Sequence, residues 1–146
     1  MRISIASDHA GFACKGSLVS HLKSLGHEVV DRGPDSGDRV DYPDFAERVA
    51  HDVAQGIADR GVLVCGTGIG MAVAANKVDG IRAANVTSPQ FAALAREHND
   101  ANIVTVSARF VDEETNRAIV DAFLATEFGG GRHAGRVEKI SALERK

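Results

Sequence analysis

The sequence predicts an α/β domain built on a five-stranded parallel sheet. Three observations carry that expectation. Short β-branched runs alternate with longer amphipathic runs along the whole chain. Glycine and proline punctuate the junctions at the positions where helices start and stop. The length of 146 residues and a hydrophobic fraction of 44% suit one domain, 1–146, with a real core.

The strands are expected at Ile3–Ala6, Glu28–Asp31, Val62–Cys65, Ile81–Val86 and Ile103–Val106. The helices are expected at Gly11–Leu25, Pro43–Gln55, Gly68–Asn76, Pro89–His98, Glu113–Thr126 and Ala134–Arg145. Gly26 follows Leu25 as a glycine just past a helix end would. Pro43 fits a first helical turn, and Ser88-Pro89 reads as an N-cap followed by the first helical residue. In the helix from Glu113, residues Ala118, Ile119, Ala122 and Phe123 recur at helical spacing and are expected to face the sheet. Arg32–Asp41 is polar, with glycine and proline, and reads as a loop. Phe128-Gly129-Gly130-Gly131 reads as a flexible joint before a last, charged helix, which is expected to pack on a partner subunit. No internal repeat and no low-complexity tract is found.

Composition narrows the function classes. Aromatics make up 5% of the chain, so the core is expected to be aliphatic, and the net charge of −3 points to neither nucleic acid nor a membrane. The N-terminus enters a strand at once and has no signal-peptide layout. Cys14 and Cys65 form neither a disulfide framework nor a C-x-x-C metal pair, so a reducing cytoplasm is the expected compartment.

In an open parallel sheet, ligands sit beyond the carboxyl ends of the strands where the strand order switches direction. With an order beginning 2-1-3, that crevice lies between the first and third strands; the order of the last two is not legible. The first strand runs into Ser7-Asp8-His9-Ala10-Gly11 and the third into Cys65-Gly66-Thr67-Gly68-Ile69-Gly70. The glycine loop is either an anion site, with backbone N–H groups and a helix N-terminus aimed at the ligand, or a packing turn. It is not a dinucleotide fingerprint, because Met71 stands where the last glycine belongs, and no Gly-Lys-Ser/Thr P-loop occurs. Cys65 is either a thiolate favoured by that helix start or a small buried hydrophobe. Cys14, inside the first helix, is read as the latter.

Six histidines occur without H-E-x-x-H or any Cys/His cluster, so no metal is expected. His21 and His51 read as exposed helix residues. Asp8-His9 pairs a carboxylate with an imidazole, and His98-Asn99 ends a helix; both places suit proton transfer or hydrogen bonding to a developing charge, as well as simple turn or cap roles. Arg132 and Arg136 share one helix face, a spacing that fits a phosphate or a solvated surface, and Arg109 past the last strand is a further candidate. His133 is given no catalytic part.

Taken together, these residues resemble the type B ribose/galactose isomerase family. The stretches that carry the resemblance are Ser7-Asp8-His9-Ala10-Gly11-Phe12, Asp41-Tyr42-Pro43, Cys65-Gly66-Thr67-Gly68-Ile69-Gly70, Ala74-Ala75-Asn76-Lys77, Gly80-Ile81-Arg82-Ala83, Arg96 through Asn102, and Gly130-Gly131-Arg132-His133 with Arg136-Val137. The resemblance implies a three-layer α/β/α, Rossmann-like fold and a homodimer or tetramer with active sites shared between subunits. It implies ribose 5-phosphate and ribulose 5-phosphate as substrates, interconverted through a cis-enediolate with no cofactor. By the same match Cys65 is the base. Thr67 and the backbone of Gly66, Gly68, Ile69 and Gly70 hold the enediolate. His98 opens the furanose with Asn99 assisting, Asp8 and His9 grip hydroxyls or phosphate, and Arg109, Arg132 and Arg136 bind phosphate. A branch of the family carries glutamate in place of Met71 and lacks the cysteine; this chain resembles the cysteine branch. Its loop Arg32–Asp41 matches least, and preference for sugar length is expected there or near Tyr42. Alternatives are the same chemistry on allose 6-phosphate, galactose 6-phosphate or an erythrulose phosphate, and a non-catalytic sugar-phosphate sensor. A thiol redox protein is the weaker alternative.

Overall fold

The computed structural model describes the whole chain, Met1–Lys146. The elements are β1 (Arg2–Ser7), α1 (Phe12–Ser24), β2 (Glu28–Asp31), α2 (Tyr42–Ala54), β3 (Arg60–Cys65) and α3 (Ile69–Ala75). They continue with β4 (Ala83–Asn85), α4 (Pro89–Asn99), β5 (Ile103–Ser107), α5 (Glu113–Ala125) and α6 (Arg132–Ala142), then a single 3-10 turn, Leu143–Arg145. The strands form one parallel sheet of order β2-β1-β3-β5-β4. It begins 2-1-3 as expected, and β5 inserts between β3 and β4.

Side-chain alternation splits the core into two layers, one on each face of the sheet. Ile3, Ile5, Val62, Val64, Val104 and Val106 pack against Leu18, Leu22, Ala92, Ile119, Val120 and Phe123 of α1, α4 and α5. Ala6, Leu63, Cys65 and Ile103 pack on the other face against Phe45, Ala46, Val49, Met71 and Ala75 of α2 and α3. Phe45 and Phe123 are the aromatic side chains of an otherwise mainly aliphatic hydrophobic core. Each such side chain, fully buried, contributes about 1.5–3 kcal/mol. No helix is long and apolar enough to cross a membrane.

Four local expectations need correction. Ile81–Val86 narrows to the three residues of β4, which lies at the open edge of the sheet. There the Asn76 side chain stands in for a missing neighbour strand, accepting from Ala83 N–H (2.8 Å) and donating to its carbonyl (3.0 Å). His21 is not exposed: its ring bonds Asp121 at 2.7 Å and ties α1 to α5. In α5 the fully buried stripe is Asn116, Ile119, Val120 and Phe123, while Ala118 and Ala122 are half-buried. The last helix starts at Arg132, so Arg132 lies inside it, and only Val137 of that helix is buried.

The parallel order places every strand's carboxyl end at one edge of the sheet. Helices α1 to α5 return antiparallel, so their C-termini gather at the opposite edge.

Candidate active site

Cys65 is the last residue of β3, and its side chain is 5% exposed. One flank packs in the aliphatic layer with Ala6, Phe45 and Met71. The sulfur also receives the Gly68 backbone N–H at 3.1 Å. That bond requires the loop to fold back over the strand end, and Gly68 permits it with φ +81° and ψ −15° at the N-cap of α3. The Thr67 hydroxyl accepts from Ile69 N–H at 3.1 Å and lies at the surface of the same turn. Gly70 and Met71 are first-turn residues of α3, and their N–H groups have no preceding helical carbonyl to bond. Sulfur, hydroxyl and unpaired amides thus converge on one small loop, a set able to carry negative charge on sulfur or on a bound oxygen.

The β1 loop lies against it. Gly11 crosses so close to β3 that a Cβ there would meet the Val64 carbonyl oxygen at 2.8 Å. Asp8 is buried; one carboxylate oxygen accepts Gly11 N–H at 2.9 Å, and the other has no partner in the chain. The Nδ1 of His9 accepts from Val40 N–H at 3.3 Å, so the neutral ring carries its proton on Nε2. Arg109 lies over the glycine loop: its Nη1 would be 3.3 Å from a Cβ at Gly66, and its own N–H bonds the Gly66 carbonyl at 3.1 Å. Asp8, His9, Cys65, Gly66, Thr67, Gly68, Ile69, Gly70 and Arg109 therefore form one cluster at the carboxyl edge.

His98 and Asn99 do not join them within the chain. They end α4, beside the start of β5, where Asn102 N–H bonds the Arg82 carbonyl at 2.9 Å and Arg82 Nε reaches the Asp100 carbonyl at 2.8 Å. Arg132 and Arg136 lie in the first turns of α6, and His133 stacks on His98 with ring centroids 4.3 Å apart and 16° between planes. Burial, then the positive charge of His98, Arg132 and Arg136, holds the His133 imidazole below the usual histidine range, with Glu97 opposing. An eleven-residue α4 separates this cluster from the carboxyl edge by roughly 16 Å. The expected grouping of Arg109 with Arg132 and Arg136 is thus divided between opposite edges.

Several residues that shape the site were not singled out from sequence. Ser107 Oγ donates to the Gly66 carbonyl at 2.8 Å and accepts from Phe110 N–H at 3.0 Å, pinning the glycine loop to the end of β5. Asn85 backs Gly68 while its Oδ1 accepts from the Thr105 hydroxyl at 3.0 Å. The Tyr42 ring covers Gly70, where a Cβ would lie 2.7 Å from Cε1. Of these, Tyr42 alone was named from sequence, as a position near which preference for sugar length is expected. Cys14 behaves as read: it is buried, its thiol pushed up by burial, with Asn116 Nδ2 3.7 Å from the sulfur.

Comparison with known proteins identifies the family. The family model described as Ribose/Galactose Isomerase matches residues 3–140. A ribose-5-phosphate isomerase B of Escherichia coli (strain K12) is 46% identical over 145 residues, covering 99% of this chain and 97% of the relative. The solved structure of the Clostridium thermocellum ribose-5-phosphate isomerase B superposes with a TM-score of 0.98 at 49% identity, covering 99% and 98% of the two chains. That of Mycoplasma genitalium ribose-5-phosphate isomerase B, with bound ribulose-5-phosphate, gives 0.96 at 48% identity, covering 99% and 97%. With the expected sheet, the expected loops at its carboxyl edge and a match along nearly its whole length, the chain belongs to the ribose/galactose isomerase family.

Proposed function

We propose that this chain interconverts ribose 5-phosphate and ribulose 5-phosphate, and that each active site is completed by a second copy. The observation that carries the chemistry is the Cys65 sulfur, seated at the crevice between β1 and β3 with a loop N–H directed at it. In the open-chain aldose, the Cys65 thiolate takes the C2 proton. The electron pair moves into a C1–C2 double bond and onto O1, forming a cis-enediolate. The thiol returns the proton to C1, while a proton passes from O2 to O1, leaving the C2 ketone. Thr67 and the N–H groups of Gly66–Gly70 stabilise the enediolate oxygens as charge develops. His98 opens the furanose by moving a proton to the ring oxygen, with Asn99 holding the developing charge. Asp8 and His9 bind hydroxyls or phosphate. Arg109 from one copy, with Arg132 and Arg136 from the other, binds the phosphate dianion.

The separation of the two clusters supports the shared site, since no side chain of one copy spans about 16 Å. Ile69 and Phe110, at the carboxyl edge, are 56% and 77% exposed, and Val73 of α3 and Phe91 of α4 are exposed as well, apolar surface of the kind that a partner covers. We place α6, with its single buried residue, on that partner.

Complementation tests the reading. Cys65→Ala and His98→Ala are each expected to lose most turnover of ribose 5-phosphate while binding it. Dissociated, mixed and reassociated, they regain about one quarter of wild-type activity, because half of the random dimers hold one site with both residues intact. Near-normal turnover in Cys65→Ala rejects the base. Two inactive variants that stay inactive after subunit exchange reject the shared site.

A further inference from the structure

We propose that His133 is a positioning residue for His98, its stacked ring fixing the plane from which His98 opens the sugar ring. The inference rests on the ring-opening role given to His98 above. His98 has no hydrogen bond to hold it: its side chain is 38% exposed, and its one ion-pair contact, to Glu97 Oε1, is at 4.0 Å. An imidazole so placed samples several rotamers, and proton transfer to a bound sugar needs one of them. The stack on His133 removes that freedom.

The backbone is built to deliver this contact. Gly129 N–H bonds the Glu97 carbonyl at 2.9 Å, next in sequence to His98. The approach is so close that a Cβ on Gly129 would sit 3.1 Å from that carbonyl oxygen. Gly130 and Gly131 then turn with φ of +61° and +53°, and His133 N–H closes the turn on the Gly130 carbonyl at 3.0 Å. The joint between α5 and α6, read from sequence as flexible, is thus bonded to the end of α4 and presents His133 face-on. The groups facing the His133 ring are His98 and Glu97 from α4 and Arg132 and Arg136 from α6; burial first, then the cationic neighbours, disfavour its protonation, with Glu97 opposing.

The test separates ring opening from enolisation. Ribulose 5-phosphate is acyclic because its C5 oxygen is esterified, so exchange of its C1 proton with solvent deuterium needs the Cys65 loop and no ring opening. In His133→Ala, kcat for ribose 5-phosphate is expected to fall about tenfold with KM changed less than about twofold. C1 exchange of saturating ribulose 5-phosphate, followed by NMR, is expected to stay within about twofold of wild type. His133→Phe, which keeps a flat ring in the stack, should recover most of the kcat. Equal loss of exchange and turnover, a raised KM at unchanged kcat, an unchanged kcat, or a His133→Phe as slow as His133→Ala each overturns the proposal. A wild-type protein that neither turns over ribose 5-phosphate nor exchanges C1 would instead overturn the underlying function.

Discussion

Gly68→Ala perturbs the glycine loop through one methyl group. The residue sits at φ +81°, where an L side chain costs about 1–2 kcal/mol. The new Cβ would also lie 3.0 Å from the carbonyl carbon and oxygen of Val106 and against Asn85 Oδ1. Val106 pairs with Val64 inside the sheet and cannot retreat. Asn85 is held by the Thr105 hydroxyl, so relief must come from the loop itself. Overpacking of this kind adds about 1–3 kcal/mol, so the total is about 2–5 kcal/mol. A domain of this size has roughly 7–20 kcal/mol of stability, so the variant still folds. Its thermal midpoint should drop by about 10 °C in calorimetry. Turnover should suffer more than stability, because Gly68 N–H is the donor to the Cys65 sulfur, and a displacement of about 1 Å at a reacting group costs about a hundredfold. Gly16→Ala is the control: it lies within α1 with open space around it and should gain about 0.5–1 kcal/mol. A Gly68→Ala protein with unchanged midpoint and turnover would refute the claim that this backbone conformation builds the site.

Asp52 predicts an acid-dependent stability. Burial opposes its charge, yet hydrogen bonds from Arg32 (2.6 and 2.9 Å) and Ser4 (2.7 Å), with the charges of Arg32 and His51, hold its carboxyl below the usual range. Asp52→Ala should cost about 2 kcal/mol at pH 7, less than a fully buried pair, because Arg32 is 39% exposed and regains water. A depressed folded-state value means that the contribution is complete above the unfolded carboxylate value and fades as pH falls through the folded one. The urea-midpoint gap between wild type and Asp52→Ala should therefore hold from pH 7 to about 5 and shrink below about pH 4; a gap that widens in acid contradicts the assignment. For the cysteines, native alkylation at pH 8 followed by mass spectrometry should leave Cys14 unmodified until the protein unfolds, since burial keeps its thiol protonated. Labelling of Cys65 should slow when ribulose 5-phosphate is added, and rapid native labelling of Cys14 would show that α1 does not seal it.

Much of this was legible in the chain because it is local. Ser88-Pro89 caps α4, with Ser88 Oγ accepting Phe91 N–H at 3.2 Å, and Gly26 turns with φ +87° past α1, both as the residue types require. The loops after β1 and β3 were identified as neighbours because a 2-1-3 order makes them so. The strand reading overran at β4 because Ile81 and Val86 have strand-like side chains while ladder pairing is set by the neighbour. His21 was misread because its partner, Asp121, is one hundred residues away.

By itself the sequence determined the alternation of strands and helices, the aliphatic core and the chemistry of each loop, since side-chain period, cap residues and left-handed glycines act within a few bonds of the backbone. Only the tertiary structure decided that β5 enters between β3 and β4, that Cys65 and His98 occupy opposite edges of the sheet, and that His133 lies flat on His98. Those facts depend on chain direction and on contacts between residues far apart in sequence, whose energies no local pattern encodes.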